Sequence, residues 1–385
     1  MAFAFLLSGE RPPGQVLWAR SNAVRWKASW LMVLLCLLIL RAEVQGAADP
    51  PSPPASGARP LNALLISWDG FDRSVVKELL AQQKLPNVAA LISEGSLQDI
   101  NVTGHATSTK PSHADMLTGL APSVTGVVTN EQYQPIPEGY TIFERLQQHF
   151  GGPAHIRTIM VTSKANNLGG HGPPEAPDAS SASNKGEPYY LTRRHLDVFD
   201  SANRRAPQVG PLCIEYLNRF KDQRFFAFFH FADPDAAGHA SGIDSAEYRS
   251  AAMACDDWLG KIVECLKSEG IYDRTLVYVV TDHGFDPHSR NHNHAPDSWL
   301  ATDDKAVTHG GILADVPATI LARLGVDVGR LEPRLVGTPL TASQKAASLP
   351  AKSGLSSDLM LGEPVSRALS RVEWAARLCT KALAG

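Results

Sequence analysis

The sequence predicts an α/β fold: a three-layer α/β/α sandwich with a mainly parallel central sheet. Three observations predict it. Short runs such as FFAFFHF at 225–231 and TLVYVVT at 275–281 are nearly continuous in apolar residues, as strands buried on both faces are. Segments with a helical period alternate with those runs. Asp and His residues stand immediately beyond several of the runs, where open α/β sheets bind their ligands.

Taken in chain order, Trp30 to Leu40 is an uninterrupted apolar stretch preceded by Arg11, Arg20, Arg25 and Lys27 and followed by Gly46, Ala47 and Ala48. It reads as a signal peptide over 1–48 with a long basic leader. The run is short of the roughly 20 apolar residues of a comfortable span. Arg41 interrupts the cleavage region and leaves an uncleaved membrane anchor as the rival. The expected location is therefore secreted or periplasmic, with membrane contact only through that segment. Residues 49–60 (DPPSPPASGARP) form a proline-rich linker.

A domain over 61–330 follows. Strands are expected at Leu61–Trp68, Arg157–Thr162, Phe225–Phe231 and Thr275–Thr281. Helices are expected at Asp72–Leu80, Pro86–Glu94, Thr141–His149, Ala246–Ser268 and Val316–Leu324. Residues 165–211, rich in Gly, Pro, Ser and Asn, read as an inserted loop or cap. Residues 331–385 form a weakly patterned extension ending in an amphipathic helix at 364–383. Of the cysteines beyond the leader, Cys213, Cys255, Cys265 and Cys379, none forms a close pair, which argues against a thiolate metal site. They read as buried free thiols or as disulfides of unassigned pairing. A formal net charge of −3 gives no electrostatic reason to expect nucleic-acid binding. The sequence leaves the oligomeric state open.

The chemistry lies in four separated clusters: Asp69 after the first strand, Asp235 and His239 after FFAFFHF, Asp282 and His283 after TLVYVV, and His309 in THGG. Each alone is weak. An Asp-Gly after a strand is commonly a turn, and an Asp four residues before a His commonly a cap. Together the carboxylates and imidazoles suit zinc or a similar divalent ion. The histidines at 288, 292 and 294 read as a solvated or substrate-facing rim, and Lys305 as a candidate contact for substrate phosphate.

Thr109-Lys110-Pro111-Ser112-His113, followed by LTGLAPSVTGVVTN, resembles the nucleophile segment of the alkaline phosphatase superfamily, and most of all its nucleotide pyrophosphatase/phosphodiesterase branch. DGFD at 69, DPDAAGH at 233, TDHGF at 281 and THGG at 308 are similar to the remaining blocks, in the same order. There are echoes of the sulfatases. The resemblance covers roughly 61–325. It implies an alkaline phosphatase-like fold and a phosphoester hydrolase acting on a small-molecule phosphate ester. It also implies two divalent metals, zinc with manganese as the alternative: one held by Asp235, His239 and His309, the other by Asp69, Asp282, His283 and the Thr109 oxygen. Thr109 would be the nucleophile, forming a phospho-threonine that water then hydrolyses. Asn130 and the backbone N–H after Thr109 would hold the phosphoryl oxygens. A sulfatase is disfavoured by threonine at the nucleophile position and His113 where that branch has arginine. A phosphomonoesterase or phosphomutase stays open, as does a non-catalytic binding protein of the same fold. Diesters are the expected substrates, because the one identified donor, Asn130, is neutral.

Overall fold

The computed structural model describes residues 62–131, 134–177 and 185–342. The leader, the linker, Cys379 and the expected C-terminal helix lie outside the described residues. Eight strands form one sheet: β1 Asn62–Trp68, β2 Ser96–Asn101, β3 Arg157–Thr162, β4 Val198–Ser201, β5 Phe225–Phe231, β6 Thr275–Val280, β7 Asp297–Thr302 and β8 Gly311–Ile312. Their order is β4-β3-β5-β1-β6-β7-β2-β8. The pairs from β4 to β6 are all parallel, β7 runs antiparallel to both β6 and β2, and β8 lies parallel to β2.

Alternation along the strands produces the three layers. Leu64, Ile66 and Trp68 of β1, with Phe225, Ala227, Phe229 and Phe231 of β5, enter one core cluster. Ala63, Leu65, Phe226 and Phe228 enter the other. Because side chains alternate between faces, a strand covered on both sides is largely apolar along its length. All seven residues of β1 and of β5 are buried. The first core is shared with the helices Arg73–Ala81, Pro86–Glu94, Ala206–Phe220 and Ala246–Ser268, the second with Thr109–Thr118, Ile142–Phe150 and Asp315–Arg323.

One helix is capped by a side chain from another. Pro86–Glu94 starts at Leu85, which offers no capping side chain. The buried Asp256 of Ala246–Ser268 accepts instead from the N–H of Val88 at 2.8 Å, the N–H of Asn87 at 3.1 Å and Asn87 Nδ2 at 2.9 Å. Asp256→Ala is expected to cost about 1–3 kcal/mol of unfolding free energy, the range for orphaning buried donors; chemical denaturation measures it, and an unchanged midpoint would refute the assignment.

The 165–211 segment differs from the expected loop. It supplies β4 at the sheet edge and the start of Ala206–Phe220, whose Ala206, Val209 and Gly210 are buried. Pro207, Gly210 and Pro211 hide that helix from a periodicity reading. Gly210 is required there, since a Cβ would stand 2.1 Å from the Trp258 ring. Cys213, Cys255 and Cys265 are buried free thiols. Among the described residues no helix is long and apolar enough to cross a membrane.

Candidate active site

Four neighbouring parallel strands, β3, β5, β1 and β6, end side by side, and the residues just past their carboxyl ends converge: Lys164, Asp235, Asp69 and Asp282. The turn after β1 is held rigidly. Tyr248 donates its hydroxyl to the Gly70 carbonyl at 2.6 Å and accepts from the Asp72 N–H at 2.8 Å. Gly70 itself has φ +62°, and a Cβ there would meet Phe285 and Asp235 at about the closest tolerable approach, 2.9 and 3.0 Å. Asp235 and His239 lie one turn apart on the helix Asp233–Ser241, with His239 Nε2 3.3 Å from Asp235 Oδ1. Asp233 points away, accepting from the Ala206 N–H at 2.9 Å.

Thr109 is the first residue of the helix Thr109–Thr118 and is 1% exposed. His113, one turn on, donates Nδ1–H to the Thr109 carbonyl at 2.8 Å and accepts from the Ser67 hydroxyl at 2.9 Å. Burial pushes its pKa down to about 3, so it packs as a neutral strut beneath Thr109.

Four buried polar atoms have no hydrogen-bond partner and face one another: Asp69 Oδ1, Asp235 Oδ1, Asp282 Oδ2 and His283 Nε2. The opposite oxygens are committed. Asp69 Oδ2 accepts from His230 Nε2 at 3.0 Å, and Asp282 Oδ1 from the N–H of Gly70 at 2.9 Å and of His283 at 3.0 Å. Orphaned buried acceptors cost free energy that a cation would recover. Electrostatics agree. Burial, reinforced by the Asp69 charge, pushes the Asp282 pKa well above the usual range, so the pocket favours additional positive charge. Burial opposes ionisation of Asp69 as well, but the Lys164 ammonium and the His230 hydrogen bond outweigh it and hold its pKa well below the ordinary value.

Two groupings have ligand atoms within 4.8 Å of one another, Asp69 with Asp235 and His283, and Asp235 with His239 and His292. The three imidazoles share one arrangement. His283, His239 and His292 each donate Nδ1–H to a backbone carbonyl, of Gly284, Arg290 and Thr107 respectively, at 2.9, 2.7 and 2.6 Å. That places a proton on Nδ1 and leaves Nε2 as the nitrogen turned to the cluster, the way a metal-binding histidine is held. Burial lowers the pKa of His283, and burial with the neighbouring His283 lowers that of His292 to about 4. The donor set fits a divalent transition metal.

His292, and not His309, completes the second grouping in this structure. His309 is exposed, its Nδ1 directed to the Gly310 carbonyl at 2.9 Å, and it belongs to neither grouping. His292 is carried back to the cluster by the loop after β6. There it exchanges hydrogen bonds with Thr107 and stacks on His283 with centroids 4.0 Å apart. His288 is exposed and pairs with Asp244.

Lys164 was not among the expected site residues. Its Nζ donates to Asp235 Oδ2 at 2.6 Å, to Asp69 Oδ2 at 3.0 Å and to Thr109 Oγ1 at 3.0 Å. Burial alone would lower its pKa; Asp69 and Asp235 reverse that and raise it, so it is an ammonium. Asn130 is oriented by Lys110, whose backbone N–H donates to Asn130 Oδ1 at 2.9 Å and whose Nζ donates to the Asn130 carbonyl. The backbone N–H after Thr109 is therefore spent on positioning Asn130, which leaves the Asn130 amide as the outward donor. His230, inside FFAFFHF, and Ser163 complete the support: Ser163 Oγ bonds His230 Nδ1 at 3.0 Å.

Comparison with known proteins agrees with this architecture. Human bis(5'-adenosyl)-triphosphatase ENPP4 is 24% identical over 258 residues, covering 66% of this chain and 53% of that protein. Mouse ectonucleotide pyrophosphatase/phosphodiesterase family member 3 is 26% identical over 248 residues, covering 62% of this chain and 26% of that protein. The chain thus spans about half the length of the first of these relatives and about a quarter of the second. Among solved structures, a Bacteroides thetaiotaomicron protein from a glycosaminoglycan-metabolising locus superposes with a TM-score of 0.54 at 12% identity, covering 76% of this chain and 78% of the other. The phosphonate monoester hydrolase of Agrobacterium radiobacter gives 0.51 at 17%, covering 73% and 76%. At such identities these two show the alkaline phosphatase-like fold alone. The model of the type I phosphodiesterase / nucleotide pyrophosphatase family matches residues 63–352, three-quarters of the chain and all four strand ends described above, and the chain belongs to that family of phosphoric ester hydrolases.

Proposed function

We propose that this chain is an exported, two-metal phosphodiesterase or nucleotide pyrophosphatase that works through a covalent phospho-threonine at Thr109. The observation that carries the reading is the convergence of the orphaned atoms of Asp69, Asp235, Asp282 and His283 on one cluster, with a buried threonine hydroxyl tied to the same carboxylates through Lys164. Asp235, His239 and His292 would hold one ion and Asp69, Asp282, His283 and Thr109 Oγ the other, supplying Lewis acidity toward the phosphoryl group and the leaving oxygen. Thr109 Oγ attacks phosphorus, its O–P bond forms, and the ester oxygen departs with the electron pair of the broken bond. Water then displaces Thr109 from phosphorus and restores the hydroxyl. His113 keeps the helix start, and so the nucleophile, in place. The hydrolase domain is 61–330, and the segment before it would direct export, a reading that the ectonucleotide relatives support.

In this scheme Asn130 supplies a neutral donor to a phosphoryl oxygen. Asn130→Ala is expected to lower kcat/KM for bis-nitrophenyl phosphate by about tenfold or more, as for loss of a transition-state hydrogen bond. An unchanged kcat/KM would remove Asn130 from the mechanism. The scheme as a whole is tested by turnover on a panel of diesters, monoesters and sulfate esters with zinc or manganese supplied. Cleavage of sulfate esters alone would refute it.

A further inference from the structure

Lys164 has the surroundings of a ligand-binding ammonium. Its three donors meet three acceptors, two of them carboxylate oxygens that stay in place and the third the Thr109 hydroxyl. The two carboxylates are 0% and 4% exposed, whereas 22% of the lysine side chain is open to solvent. The charge is thus anchored from beneath and reachable from the side on which a substrate arrives. Among the described residues no other lysine or arginine is ion-paired with Asp69, Asp235 or Asp282.

The hydrogen presented to Thr109 Oγ is placed to serve an oxygen on any phosphorus that Oγ attacks. Lysine suits this because its ammonium is a compact charge whose donors rotate. The effect depends on substrate charge. A diester phosphoryl group carries one negative charge, and a monoester carries about one more at neutral pH, its second pKa being near 6. A neutral donor such as Asn130 distinguishes little between them, whereas an ammonium favours the dianion.

We propose that Lys164 is a substrate-binding residue whose ammonium engages a non-bridging oxygen of the phosphoryl group at Thr109, and that it gives the protein a second activity, on dianionic phosphomonoesters, beside its action on diesters. The proposal rests on Thr109 as the nucleophile. It replaces Lys305 and the 288–294 histidines as the source of positive charge for such a substrate.

The test compares the wild type with Lys164→Met and Lys164→Arg on nitrophenyl phosphate and bis-nitrophenyl phosphate at one metal concentration. Inhibition by inorganic phosphate and metal content by mass spectrometry are measured alongside. The wild type is expected to cleave both esters. In Lys164→Met the monoester kcat/KM is expected to fall about tenfold more than the diester value, and inorganic phosphate to inhibit about tenfold less well, with bound metal retained. Lys164→Arg, which keeps the charge, is expected to hold the monoester-to-diester ratio within about threefold of wild type. Equal losses on both esters, an unchanged phosphate inhibition constant, or loss of bound metal with both activities would overturn the proposal and leave Lys164 a tether for the carboxylates. Absence of diester turnover in the wild type would instead overturn the reading of Thr109.

Discussion

Replacing Thr109 by alanine is expected to lower phosphodiester turnover by about 10³-fold or more, the scale of losing a covalent nucleophile. The fold should survive. The removed atoms are small, the helix Thr109–Thr118 keeps its His113 strut to Ser67, and Lys164 keeps both carboxylate partners. Metal content should survive as well, because Asp69, Asp282 and His283 remain. Thr109→Ser restores the hydroxyl and should recover part of the activity. Acid-quenched wild type should carry a phosphoryl group at residue 109, visible by mass spectrometry and absent from the alanine variant. Turnover near the wild-type rate in Thr109→Ala would end the covalent mechanism.

The second large effect separates two histidines. His292→Ala is expected to weaken divalent-metal binding by about 100-fold or more, as His239→Ala should, while His309→Ala leaves it within about threefold. His292 Nε2 lies 3.1 Å from His239 Nε2 and 3.8 Å from Asp235 Oδ1, and its ring is only 13% exposed. His309 is exposed and belongs to neither grouping. Competition against a chromogenic chelator reads the affinities without any appeal to turnover. Metal affinity lost in His309→Ala and kept in His292→Ala would reverse the assignment.

These two cases show what the sequence exposes and what it hides. Asp69, Asp235 and Asp282 were legible because each follows an apolar run that can only be a buried strand, and the end of such a strand is where ligands are met. Thr109 was legible through its motif. His292 was not, because its loop has no periodicity and its approach to the cluster depends on a pairing with Thr107, 185 residues earlier. Lys164 follows a strand end as the aspartates do, but a lysine at a metal centre suggests nothing until the carboxylates around it are seen. His230 was masked by the phenylalanines flanking it in β5. Of the strands, β2 (SLQDIN) and β7 (DSWLAT) were missed because they lie in the antiparallel wing, where polar residues are tolerated and the continuous apolar signal disappears.

The placement of β1 at the middle of the sheet also governs how the chain can be made. Its two neighbours, β5 and β6, lie 163 and 213 residues further on. At ribosomal rates of about 5–20 residues per second, the segment NALLISW emerges some 10–40 seconds before its second partner exists. Until β5 emerges it has no strand partner, and only the two helices that follow it, Arg73–Ala81 and Pro86–Glu94, share its core. Such non-local pairing makes for slow folding and for a nascent chain that sticks to its neighbours. Placing the central strand ahead of both its partners gives a chaperone's grip, or passage across a membrane while still unfolded, something to protect before the chemistry assembles.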